Sequence, residues 1–125
     1  VKNAKAELEQ AIKDLKDLGI TVDASNPIYI DLPFFSASTR WTNMANAYKQ
    51  SVEATLEGKV IVNLVSCADA DEWQNAGYYT ENGAEANYHV YDLSGWGPDY
   101  GDPSTYLDTM LPDYAGYMTK CIGIF

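Results

Sequence analysis

Within the stretch Ser94-Gly95-Trp96-Gly97-Pro98-Asp99-Tyr100-Gly101-Asp102-Pro103, an indole and a carboxylate stand close together in the chain. An aromatic face beside a carboxylate suits a cation such as an α-ammonium group, because the anion accepts charge-assisted hydrogen bonds and the ring quadrupole adds attraction. A hydrogen bond to a charged partner contributes about 1.5–3 kcal/mol, so Asp99 can set the polarity of a bound ligand without supplying most of its affinity. Gly95 beside Trp96 permits a close backbone approach that a Cβ would block. The same composition also describes a plain Gly/Pro-rich turn with Trp96 as a buried anchor, and composition does not separate the two readings.

Alternating elements must position this segment. Ala4, Leu8, Ala11, Ile12, Leu15 and Leu18 recur at helical spacing, and Gly19 followed by Ile20 is a stop signal of the left-handed type. Ile28 to Leu32, between Pro27 and Pro33, reads as a strand ended by the second proline. Ser38 or Thr39 opens a second helix with Trp41, Ala45, Tyr48, Val52 and Leu56 on one face and Gly58 past its end. Val60 to Val65 is almost continuously apolar, which predicts a strand covered on both faces. Asp69 with Glu72 has the form of a capping box for a short helix over 70–77. A third strand is predicted over 88–93, and a fourth helix from Asp102 as N-cap and Pro103 through Leu111. The expected fold is α/β, one domain over 1–125, with a mostly parallel sheet flanked by helices. In such sheets ligands bind outside the carboxyl ends of the strands, where the loop carrying Trp96 and Asp99 falls.

Bulk properties narrow the function classes. The chain has 125 residues and a formal charge of −10, so nucleic acid is not an expected partner. Cys67, Cys121 and the single histidine, His89, have no metal-site spacing, and His89 reads as a structural residue. Asp69, Asp71 and Glu72 read as capping and surface charge rather than a calcium cluster, so no metal or cofactor is expected. No acyl-transfer, metalloprotease, phosphate-loop or dinucleotide signature occurs, and no catalytic residue is assigned. Tyr78, Tyr79, Tyr88 and Tyr91 could form a stacking surface for sugars, yet tyrosines of this kind more often pack at a sheet edge. The chain opens directly on a helix pattern with no signal segment, which suggests a piece of something longer.

Residues 88–111 resemble the signature of the large oligopeptide-binding proteins that feed peptide ABC importers, above all the lipoproteins of Gram-positive bacteria. A "ydl" strand leads into GW-x-x-DY-x-DP and then a helix with an aromatic-Leu pair, matched here by Gly95-Trp96, Asp99-Tyr100, Asp102-Pro103 and Tyr106-Leu107. The resemblance implies a lobe of the type II periplasmic-binding-protein fold, the larger part of the smaller, C-terminal lobe of a two-lobed protein. It implies an oligopeptide ligand, the remaining lobe and a membrane permease as partners. It also implies an extracellular, lipid-anchored location for the full-length protein and no enzymatic activity. By the same resemblance Asp99 holds the ligand's ammonium terminus and Trp96 lines that pocket, with Gly95 and Tyr100 beside them. Tyr100, Asp102 and Pro103 first of all shape the loop. A carbohydrate or another small solute on the same scaffold is the alternative ligand.

Overall fold

The computed structural model describes residues 1–77, 79–80, 83–91 and 101–108. Helix α1 (Lys2–Asp17) gives way to strand β1 (Ile28–Phe35), helix α2 (Thr39–Thr55), strand β2 (Val60–Cys67) and helix α3 (Ala70–Gly77). A 3-10 turn (Gly83–Glu85) and the short helix α4 (Ser104–Asp108) complete the described elements.

Helix α1 ends as its sequence requires. Gly19 takes φ +81°, Ile20 N–H donates to the Leu15 carbonyl and Gly19 N–H to that of Lys16, the two bonds of a Schellman cap. Its apolar stripe finds little cover, since no residue of α1 is buried. Helix α2 ends differently. Two successive residues, Glu57 at φ 56° and Gly58 at φ 73°, adopt positive φ, and Gly58 N–H closes the cap on the Glu53 carbonyl at 3.0 Å.

Strands β1 and β2 pair in parallel, with Ile30 opposite Val62 and Leu32 opposite Leu64. Side chains of one parity along the strands meet α2, and there Leu32, Val62 and Ala45 form the buried centre. Ile30, Phe34, Leu64, Val52 and Val90 pack around it. Val62 is fully buried, and full burial of such a side chain contributes about 1.5–3 kcal/mol. The opposite parity is covered unevenly: Pro33 and Cys67 are buried, whereas Tyr29 and Val65 are exposed. The two-sided cover expected for β2 is therefore partial among the described residues.

Two expectations are corrected. Strand β1 runs through Pro33 to Phe35. Ile28 N–H donates to the Lys59 carbonyl and Ser36 N–H to that of Cys67, so even-numbered amides face β2. The position of Pro33 faces the other edge, where its missing N–H costs the ladder nothing. The third strand expected over 88–93 is not formed at 88–91, and 92 and 93 lie outside the described residues. His89 N–H and Val90 N–H both donate to the Asp31 carbonyl at 3.0 Å. Asp31 N–H goes to the His89 ring instead of a backbone carbonyl, so no ladder can propagate from that point.

Candidate functional site

The carboxyl end of the sheet is built from three segments. Where β1 ends, Ser36 donates from both its backbone N–H and its Oγ to the Cys67 carbonyl at 2.9 Å, which ties the two strand ends together. Thr42 Oγ1, in the first turn of α2, donates to the Ser36 carbonyl at 3.4 Å. Past β2, Asp69 Oδ1 accepts from Glu72 N–H at 2.8 Å, and Glu72 Oε2 accepts from Ala68 N–H at 2.6 Å. The predicted capping box is present, its return bond landing one residue early. These carboxylates are occupied in capping the start of α3. Burial pushes the Cys67 thiol up from its ordinary range, with the nearby Glu72 carboxylate adding to the effect, so this cysteine packs as a hydrophobe rather than presenting a thiolate.

The third segment flanks the loop predicted to bind ligand. Gly95, Trp96, Asp99 and Tyr100 lie outside the described residues, and so does Cys121. The chain immediately before the loop is held firmly. Tyr91 stacks on Trp73 with ring centroids 5.0 Å apart and planes 11° apart, and its hydroxyl donates to the Trp73 carbonyl at 2.6 Å. Tyr88 leans on Tyr91 at 4.8 Å, and Trp41 of α2 meets Trp73 edge-on at 5.1 Å. Both tyrosines press on Gly77: a Cβ there would lie 2.9 Å from Tyr88 Cε1 and 3.0 Å from Tyr91 Cζ. The tyrosines at 88 and 91 are therefore packing residues, whereas Tyr79 is exposed and Tyr78 lies outside the described residues.

Beyond the loop, Asp102 Oδ1 accepts from Ser104 N–H at 2.8 Å, and the Asp102 carbonyl accepts from Thr105 N–H and Oγ1. The Ser104 amide holds the Asp102 carboxyl below its usual value. Asp102 is a helix cap, as its sequence context predicts. The helix it opens covers Ser104–Asp108, and residues 109–111 lie outside the described ones.

Between α2, β1 and the anchored segment lies an apolar cleft of about 500 Å³, lined among others by Pro33, Phe34, Trp41, Met44, Tyr48 and Tyr91. Among the described residues its walls offer contact area and aromatic faces but no ionised group, which suits an apolar or aromatic side chain rather than a charge. The residue that sequence reasoning missed is Trp73, the hub of the aromatic stack, whereas His89 has the structural role expected of it, its ring accepting from Asp31 N–H. Trp73 sits on a helix that was foreseen, but its partners lie in other elements and leave no local spacing signal.

The alternating helices and the parallel β1–β2 pair give an α/β fold. It superposes on Haemophilus influenzae OppA, solved in complex with RPPGFSPFR, with a TM-score of 0.61 over 90% of this chain and 20% of that one, at 21% identity. Over 117 residues, 94% of its length, the chain is 37% identical to oligopeptide-binding protein AliA of Streptococcus pneumoniae. It is 37% identical over 107 residues to AmiA of the same species, and 35% identical over 109 residues to SarA of Streptococcus gordonii. Each of these matches is a similarity to one segment of a longer oligopeptide-binding protein. The chain spans only 17% of AliA and 16% of AmiA and SarA. No family model matches it.

Proposed function

We propose that this chain is the larger part of the C-terminal lobe of an extracellular, lipid-anchored solute-binding protein that captures oligopeptides and delivers them to an ABC permease. The observation that carries the reading is identity of 35–37% to curated oligopeptide-binding proteins along nearly the whole chain, on a lobe of matching fold. The lobe itself performs no chemistry. A peptide lies extended between this lobe and its partner lobe, its backbone pairing in the manner of an added strand. Asp99 holds the α-ammonium end, Trp96 lines the same pocket, and Gly95 and Tyr100 shape it. The clamp of Tyr91 on Trp73 supports this arrangement, because it anchors the chain just upstream of Gly95.

Closure of two lobes on a ligand is a hinge motion and needs both halves. The 125-residue chain alone is therefore expected to bind peptides weakly, and the two-lobed protein tightly. Calorimetry on the two-lobed protein with free-amine peptides and their N-acetylated counterparts tests the role of Asp99. Acetylation and Asp99→Ala should each weaken binding by about tenfold or more, the worth of a charge-assisted hydrogen bond. Equal binding of the two peptide forms removes Asp99 from this role, and binding of glycans in place of peptides on paired arrays overturns the ligand class.

A further inference from the structure

His89 closes the outer edge of β1 with its ring. Asp31 N–H donates to His89 Nδ1 at 2.9 Å, while the Asp31 carbonyl accepts the backbone amides of His89 and Val90. The bond requires a bare Nδ1, with the ring proton on Nε2. The Asp31 carboxylate is tethered elsewhere: its Oδ1 accepts from Asn63 Nδ2 of β2 at 2.7 Å, and its Oδ2 stands 3.4 Å from Nδ1. The near partner of Nδ1 is thus the amide. Because residues 88–91 form no strand, the acceptor that a ladder carbonyl would supply comes, among the described residues, from this side chain. Two residues later Tyr91 is locked against Trp73, and the sequence then enters the segment with Gly95 and Asp99.

We propose that His89 is a positioning residue for peptide capture, a side-chain acceptor that fixes on β1 the point from which the chain departs toward Asp99. The proposal rests on the peptide-binding reading above. Its chemistry is specific: it needs an unprotonated acceptor at the δ position, which asparagine shares, which glutamine places one bond farther out and which phenylalanine lacks.

Two experiments test it. In the isotope-labelled 125-residue chain, scalar coupling across the hydrogen bond should join the Asp31 amide to His89 Nδ1, and its absence overturns the assignment. In the two-lobed protein, His89→Phe and His89→Gln should each weaken peptide binding about fivefold, the scale of one neutral hydrogen bond, while His89→Asn stays within about twofold of wild type. His89→Asn as weak as His89→Phe would show that ring packing is what matters and overturn the acceptor role. Wild-type affinity in His89→Phe overturns the positioning role alone. A wild-type protein that binds no peptide overturns the capture reading and the role of His89 in capture with it, leaving the coupling to report on the bond itself.

Discussion

The two outer edges of the sheet are closed by different chemistry. On the β2 edge, the outward-facing Val62 donates its N–H to Glu53 Oε1 at 3.0 Å, and its carbonyl accepts from Lys49 Nζ at 2.7 Å. Lys49 and Glu53 pair with each other at 2.5 Å, one turn apart on α2. On the β1 edge, the outward-facing Asp31 is met by a neutral imidazole and two backbone amides from a segment 58 residues away. Exposed strand edges invite pairing with other chains, and each device occupies the outward backbone groups of one edge residue without a further strand among the described residues. The first is an ion pair delivered by the helix that crosses from β1 to β2. The second is a long-range contact that forms only once residues 88–91 have docked. The β1 edge thus depends on the later, non-local event.

The comparison is broken most directly on the β2 side. Glu53→Ala strips the Val62 N–H and Lys49 of a shared partner at a half-buried position, and loss of such a partner costs about 1–3 kcal/mol. Urea unfolding of the 125-residue chain should show a lowered midpoint with an unchanged slope. Glu53→Gln keeps an acceptor for Val62 and should recover most of the loss. If Ala and Gln variants unfold alike, charge rather than the hydrogen bond closes this edge.

The β1 side is attacked through Gly77. An added methyl there would lie 2.9 Å from Tyr88 and 3.0 Å from Tyr91. Tyr91 cannot yield freely, since its ring stacks on Trp73 and its hydroxyl is bonded to the Trp73 carbonyl. Helix propensity favours alanine over glycine by up to about 1 kcal/mol, but overpacking of this kind costs about 1–3 kcal/mol, so Gly77→Ala should destabilise. The near-ultraviolet circular dichroism of the stacked rings should change with it. A stabilised Gly77→Ala with an unaltered aromatic spectrum would show that the clamp gives way easily.

What was legible in the sequence follows the same division between local and distant. The end of α1 at Gly19, the capping box of Asp69 and Glu72 and the cap of Asp102 all rest on residues within a turn of one another, and each is present. The passage of β1 through Pro33 was not legible, because which edge a residue faces is fixed by the register with β2. The strand expected over 88–93 failed at 88–91 for a related reason: its aromatic character is real, but the outward backbone groups of Asp31 are taken by the ring of His89 and the amides of His89 and Val90. As for the candidate site, the Gly95-to-Tyr100 motif is a local word in the sequence, whereas the Trp73 stack that anchors its approach joins separate elements.

Acidity sharpens the contrast. The hydrogen bond from Lys49 holds the Glu53 carboxyl below its usual value, with the Val62 amide acting in the same direction and burial opposing both. A carboxyl lowered in the folded state stabilises the fold above its unfolded value, and that contribution is lost as pH falls through the folded value. The stability difference between wild type and Glu53→Gln should therefore be full at neutral pH and shrink as pH drops through and below the carboxylate range. A difference that stays constant through that range would mean that Glu53 acts as a neutral acceptor, and the two edges would then be chemically alike.

The smallest effect concerns the turn that feeds β2. Glu57 sits at φ 56°, where a side chain costs roughly 1 kcal/mol relative to glycine. Its carboxylate pairs with Lys5 at 2.8 Å and lies 3.9 Å from Lys59, both on the surface. Exposed pairs of this kind contribute little, so relief of the left-handed strain and loss of the pairs nearly offset one another. Salt separates the two: screening weakens the pairs but leaves the backbone untouched. Glu57→Gly should be close to neutral in dilute buffer and slightly stabilising in concentrated salt, where the ion pairs no longer contribute. A Glu57→Gly variant that remains destabilised in concentrated salt would show that this left-handed position carries little strain, and that the turn's value to the β2 edge lies in its geometry rather than in which residue occupies it.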